Sequence, residues 1–409
     1  MFLKKLFSKK RIYLDYASLT PIDRRVQSEI KKYSSINYAN ASSLYKEGVL
    51  AKECLKKMRA KIAGFLHSQP SEIFFTSGGT ESNNLAILGT IENLHKAGVE
   101  YDKMHVLISV IEHSSIRECA NELQEKGVEI ELLPVNKNGF VDADELKNKI
   151  KPNTVIISVM TVNNEIGSIQ PIKEIAKAIR HFRSTKKDSS AFNFQEYTYP
   201  VFHTDASQAF LYEDINVEKL GVDLLTLDSS KVYGPRGMGL LFIKKGTPVS
   251  SIIFGGGQES GMRSGTENLP SIAGFTRALE IATQERNVQF ERMMNMKEFF
   301  IKGLKEIRAD ISVNGGAGES GGRGTEQTSS HILNVHIPKI DNEFFVINLD
   351  AKGVACSTKS SCLGDEEESY VLNAIGANSK ESVRFSFGRY TTFADLKRAL
   401  KIISQILKK

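Results

Sequence analysis

Between residues 72 and 245, short apolar runs rich in β-branched residues alternate with longer stretches whose apolar positions recur every three or four residues. The short runs predict buried strands and the longer ones amphipathic helices. Strands are expected at Ile73, Phe74 and Phe75 and over 106–110, 128–133, 155–161, 201–205 and 222–227. Helices are expected over 80–92, from Ser115 to Lys126, and over 142–150 and 172–182. This alternation is the pattern of an α/β domain with a largely parallel sheet. Upstream lie a strand-like run at 12–15, helices over 22–33 and 50–66, and a polar loop at 34–45. Downstream, 275–307 reads as one or two long amphipathic helices. The runs 331–337 and 344–349 then begin a smaller α/β unit, closed by a helix over 393–407. The change near residue 270 predicts a large domain over 19–270 and a smaller C-terminal domain over 271–409, with residues 1–18 packing against the latter. The polar stretches 183–200 and 314–330 read as surface loops.

Composition narrows the class. A chain of 409 residues exceeds one ordinary core, which agrees with two domains. With 41% hydrophobic and 25% charged residues it reads as soluble and globular, and no apolar run is long enough to span a bilayer. The formal charge of +6 is mild, and part of the excess sits at the ends, in Lys4, Lys5, Lys9, Lys10, Arg11, Lys408 and Lys409. Direct nucleic-acid binding is therefore not expected. Residues 1–12 alternate Phe and Leu with lysine but carry no continuous apolar stretch, so they read as a frayed basic terminus, with a short organelle-targeting or membrane-touching segment as the alternative, rather than a secretory signal. Cys54, Cys119, Cys356 and Cys362 lack zinc-site spacing and are too few for a disulfide scaffold. No metal site is expected, a reducing cytoplasm fits, and one of these thiols is a candidate for reactivity.

The candidate chemistry lies at strand ends. His113, Asn164, Asp205, Gln208 and Lys231 each follow the C-terminal end of an expected strand, the edge at which open α/β sheets bind ligands. Any one of them alone would be unremarkable; five at successive strand ends predict a site. Lys231 follows a buried strand and precedes the Gly234-Pro235 turn, so it is presented over that edge. A desolvated lysine there has an amine free to attack a carbonyl. Gly78, Gly79 and Thr80 stand where a strand turns into a helix, whose first N–H groups and dipole favour an anion such as a phosphate.

Assembled in order, the chain resembles the cysteine desulfurases of the NifS/IscS type, within the class V aminotransferase group of fold-type I pyridoxal 5'-phosphate (PLP) enzymes. The stretches that carry the resemblance are Thr76-Ser77-Gly78-Gly79-Thr80-Glu81-Ser82, Asn163-Asn164-Glu165-Ile166-Gly167, Lys231 with Tyr233-Gly234-Pro235, and Gly261-Met262-Arg263-Ser264-Gly265-Thr266. Ser361-Cys362, Ser369-Tyr370-Val371-Leu372 and Val383-Arg384-Phe385-Ser386 add to them, and the match runs from Tyr13 to Thr392.

The resemblance implies that Lys231 holds PLP covalently and moves the substrate's Cα proton. It implies that Asp205 pairs with the pyridinium nitrogen, Gln208 bonds the phenolic oxygen and His113 lies on the ring face. Asn164 would contact cofactor or substrate, and Arg384 would clamp the substrate carboxylate. Gly79, Thr80 and Ser230 would hold the phosphate, with Thr266 arriving from a second subunit, so a homodimer with shared sites is implied. Cys362 would take sulfur from L-cysteine as a persulfide, leaving L-alanine, and pass it to an acceptor for iron–sulfur cluster assembly or tRNA thiolation. The family's Ser-Gly-His before the lysine is Asp228-Ser229-Ser230 here. An ionised Asp228 would be repelled by a phosphate, so it either turns away or the phosphate cup is rebuilt. Other readings are a different class V activity, such as selenocysteine lyase or aminotransferase, and a catalytically weak homologue that binds partners.

Overall fold

A computed structural model describes residues 11–35, 38–185, 193–194, 197–316, 327–358 and 368–408. Two helices, α1 (Arg24–Ser35) and α2 (Lys46–Leu66), precede a seven-stranded sheet. Its strands are β1 (Ile73–Thr76), β2 (His105–Ser109), β3 (Glu129–Leu133), β4 (Thr154–Ser158), β5 (Val201–Asp205), β6 (Leu224–Asp228) and β7 (Gly239–Ile243), in spatial order β1-β7-β6-β5-β4-β2-β3. The pairings from β6 across to β3 are all parallel, and β7 is antiparallel to both its neighbours. Strands β2, β4, β5 and β7 are buried at every position, as expected of strands covered by helices on both faces. The edge strand β3 instead carries Glu129 and Glu131, paired with Lys149 and Lys151, which blunts its exposed rim.

Helices α3 (Gly79–Lys96), α4 (Ser114–Glu125), α5 (Ala143–Lys149) and α6 (Ile172–Thr185) alternate with the strands. Helix α3 is buried along most of its length and α4 along one face, through Ile116, Cys119, Ala120 and Leu123. Where the sequence suggested only a loop between 183 and 200, α6 runs on to Thr185, and Asn193–Phe194 pairs antiparallel with Tyr197–Thr198.

Helix α7 (Leu269–Ile307) is a single helix of 39 residues. It begins six residues before the periodic stretch because the Asn268 side chain accepts from Ser271 N and Pro270 suits a first helical turn. Its first half buries Leu269, Ile272, Phe275 and Leu279, and its second half Met293, Met296, Phe300 and Leu304. Beyond it, β8 (Ser312–Val313), β9 (Ile332–His336) and β10 (Ser382–Ser386) form an antiparallel sheet in the order β8-β9-β10, accompanied by α8 (Asn342–Ala351) and α9 (Phe393–Leu407). The start of the chain joins this C-terminal part. Ile12–Tyr13 pairs in parallel with Val354–Ala355, and Asp15 bridges to Ser386.

Candidate active site

A cavity of about 140 Å³ opens where β4, β5 and β6 end and α3 and α4 begin. Gly79, Thr80, His113, Asn164, Asp205, Gln208, Lys231 and Arg384 line it, together with Ala17, Ser18, Asn83, Ser115, Ser207 and Asp228. Thr266 is not among them: it is exposed and lines a separate depression with Arg263 and Gly265. Ser230 is buried in the turn after β6, where its N–H donates to Asp228 Oδ1 at 2.7 Å and its carbonyl accepts from the Thr20 hydroxyl at 2.7 Å. Cys362 lies outside the described residues.

The floor of the cavity is a connected polar network. Asp205 Oδ2 accepts from Asn83 Nδ2 at 2.9 Å, and Oδ1 accepts from Ser207 N at 2.9 Å. The same Asn83 amide donates to Ser115 Oγ at 2.9 Å. His113 Nδ1 lies 2.9 Å from that hydroxyl and accepts from Ser115 N at 3.2 Å. With Nδ1 accepting, the proton of the neutral ring sits on Nε2. Beneath, His203 is pushed down to about 4 by burial and is neutral at physiological pH. Glu112 is pushed up to about 8 by burial; its Oε1 accepts from Ser109 Oγ and Met160 N at 2.7 Å each. Both groups feel the charge of Asp205, and in their neutral forms they add none of their own near it.

One tetrapeptide, 15–18, holds three of the expected site residues. Lys231 Nζ donates to Ser18 O at 2.6 Å and Ala17 O at 3.3 Å, and Gln208 Nε2 donates to Ala17 O at 2.8 Å. Arg384, on β10 and 1% exposed, donates to Asp15 Oδ1 at 2.8 Å, Ser18 Oγ at 2.6 Å and Asn164 O at 2.9 Å. Residues 15–18 therefore position the side of the cavity that carries Lys231, Gln208 and Arg384.

At that helix start, Asp228 does not turn away. Its Oδ2 accepts from Gly79 N at 3.0 Å. Gly79 permits this approach, because a Cβ there would stand 3.2 Å from the same oxygen. Gly239 has a similar reason: a Cβ on it would meet the backbone of Gly78 at 2.6 Å. Next to Asp228, the buried Ser207 hydroxyl has no hydrogen-bond partner. A carboxylate on the floor, a lysine amine in the same cavity, an unpaired hydroxyl and a helix N-terminus suit an aromatic cofactor bearing a ring nitrogen, an aldehyde and a phosphate. PLP fits that donor set, with Asp228 the single discordant group.

Among the described cysteines two are poor nucleophiles. Burial pushes the Cys119 thiol up to about 12, and it donates to Ser115 O. Burial also raises Cys356 well above the ordinary thiol range. A thiol must ionise to attack, so neither suits that task.

The model of the family described as aminotransferase class-V matches residues 12–399. The chain belongs to the class V aminotransferase family. Within that family it is 36% identical over 405 residues to "Cysteine desulfurase IscS" of Dictyoglomus turgidum, a match covering 98% of this chain and 95% of the relative. Among solved structures it resembles a "NIFS-LIKE PROTEIN" with a TM-score of 0.85 at 30% identity, covering 97% of this chain and 99% of that one. It also resembles "SspA in complex with cysteine", with a TM-score of 0.73 at 30% identity over 93% of this chain and all of that one.

Sequence reasoning missed Asn83, Ser115, Ser207, Asp15 and Ser18. Asn83 had a signal: it stands one helical turn beyond Gly79, so the two share a face. Asp15 and Ser18 had none, because long-range pairing brings them to the cavity.

Proposed function

We propose that this class V aminotransferase family member is a PLP-dependent cysteine desulfurase. It converts L-cysteine to L-alanine while Cys362 takes the sulfur. The observation that carries this reading is the convergence of Lys231, Asp205, His113, Gln208, Asn164 and Arg384 on one cavity. The names of the relatives agree with it. When bound, PLP supplies an electron sink for the carbanion at the substrate Cα.

The chain's own residues do the rest. Lys231 anchors the cofactor through Nζ and carries the Cα proton. Asp205, fixed by Asn83 and Ser207 N, keeps the ring nitrogen protonated. Gln208 and Asn164 position cofactor and substrate, and Gly79, Thr80 and Ser230 serve the phosphate. Arg384 receives the amino acid's carboxylate through its planar fork. His113, which lines the cavity and is held through Nδ1 by Ser115, would lie on the ring face. The Cys362 thiolate attacks the substrate sulfur; the Cβ–S bond breaks, an S–S bond forms, and alanine and an enzyme persulfide result. Cys119 and Cys356, both held protonated, do not compete.

The working form is a homodimer. Tyr38, Leu44 and Phe254 are 77, 97 and 77% exposed and offer apolar side chains that a second subunit could cover. Exposed Thr266 completes the phosphate site of the second subunit. The persulfide passes to a sulfur-acceptor protein, such as an iron–sulfur scaffold or a tRNA-thiolation protein, in the cytoplasm. No membrane takes part, and no helix among the described residues is long and apolar enough to cross one.

The test is incubation of PLP-loaded protein with L-cysteine, followed by alanine quantification and mass spectrometry. One added sulfur is expected on the Cys362 peptide and none on the Cys356 peptide. Cys362→Ser should keep PLP and lose sulfur transfer, since a hydroxyl is scarcely ionised at neutral pH. Undiminished alanine formation in that variant, or a persulfide found only elsewhere, would sink the mechanism.

A further inference from the structure

The first N–H groups of a helix lack intrahelical partners and carry the positive end of its dipole. On α3 the Gly79 N–H is already taken: it donates to Asp228 Oδ2 at 3.0 Å. The other carboxylate oxygen accepts from Ser230 N at 2.7 Å. Both oxygens are thus bound to amides, and the side chain bridges the end of β6 to the start of α3. Beside it stands the Ser207 hydroxyl, 9% exposed and without a hydrogen-bond partner, 3.6 Å from the point a Gly79 Cβ would occupy. The helix start therefore holds one anion, and an unpaired buried hydroxyl stands near it.

We propose that Asp228 is a resident anion in the cofactor's phosphate seat, so that PLP must share or displace a carboxylate to load. The inference rests on the PLP reading of the cavity and adds that this chain's affinity for the phosphate is set by Asp228. Two anions at one helix terminus repel and compete for the same N–H. Without PLP, the carboxylate satisfies Gly79 N–H and steadies the turn that carries Lys231. With PLP, that donor must be divided, and the unpaired Ser207 Oγ joins Thr80 and Ser230 in compensating the phosphate. The cofactor is then retained chiefly through Lys231 and Asp205, and it exchanges more readily than a seat built from neutral donors would allow.

The experiment titrates cofactor-free protein with PLP and, separately, with pyridoxal, which lacks the phosphate, following absorbance and protein fluorescence. Asp228→Ser should bind PLP about tenfold more tightly, roughly 1.4 kcal/mol, with pyridoxal affinity unchanged. Asp228→Asn, which keeps the shape of the side chain, should move in the same direction. Inorganic phosphate should compete with PLP at lower concentration in Asp228→Ser than in the parent protein, and Ser207→Ala should weaken PLP but not pyridoxal. Equal PLP affinity in the parent and both Asp228 variants would overturn the proposal and leave the PLP reading standing, as would a gain shared equally by pyridoxal. Failure of every variant to bind PLP would overturn both.

Discussion

Asn83 is the residue on which the cavity floor turns, since one amide serves Asp205 and Ser115 and through Ser115 orients His113. Asn83→Ala should cost about 1–3 kcal/mol of stability, because it leaves buried polar partners unsatisfied. It should also weaken PLP and shift the absorbance of the bound cofactor, since Asp205 and His113 would both lose their positions. Urea denaturation and a PLP titration check the two effects. Asn83→Asp should be worse on both counts, by setting a like charge against Asp205. Lys231→Ala should release the cofactor on gel filtration and end alanine production; retained alanine release would remove Lys231 from the mechanism. That His113, Asn164, Asp205, Gln208 and Lys231 share one cavity was legible because a parallel strand that ends in a polar residue places it at the sheet's C-terminal edge. The conformation of Asp228 was not legible: sequence left both outcomes open, and a side-chain rotamer decides between them.

Strand ends carry a second device in Glu112, just beyond β2. It stays protonated in the folded chain up to about pH 8, whereas an unfolded glutamate ionises near the ordinary carboxylate range. Between those values the folded state binds more protons than the unfolded one, so stability falls as pH rises through the window. The loss approaches about 1.4 kcal/mol per pH unit at most. Glu112→Gln should flatten that slope and raise stability near pH 8, measured by denaturant unfolding at several pH values. A different tether joins α2 to β1 and to the loop before α7. Arg59 grips Glu259 through two bonds of 2.6 and 2.7 Å, and Glu259 also accepts from Phe75 N at 2.9 Å. Glu259→Ala should cost about 3–5 kcal/mol by leaving a largely buried guanidinium without its counter-charge, its bond to Ile73 O remaining. The helices and most strands were legible from periodicity, with ends displaced by a few residues where caps such as Asn268 intervene. The antiparallel course of β7 was not, because a buried apolar run reads the same in either direction.

For the molecule entire, the exposed apolar surface at Tyr38, Leu44 and Phe254 leads to an expected dimer by analytical ultracentrifugation. If Thr266 serves the neighbouring site, Lys231→Ala and Thr266→Ala subunits should complement on mixing. A hybrid pair then contains one intact site, with Lys231 from one subunit and Thr266 from the other. Recovery of PLP binding above that of either parent variant is the expected result; none would mean that Thr266 acts within its own subunit or not at all.

The tetrapeptide that grips Lys231, Gln208 and Arg384 has a consequence in time. Ala17 N donates to Ser386 Oγ across 369 positions of sequence. A ribosome adding 5–20 residues per second needs on the order of 20–70 s to make the partner of a segment already outside it. During that interval the tetrapeptide has its bonds to Gln208 and Lys231 but lacks those to Ser386 and Arg384. Completion of the cavity is therefore a late event in the biogenesis of each molecule, and a nascent chain stalled before β10 would carry Lys231, Asp205 and Gln208 and still lack the Arg384 side of it.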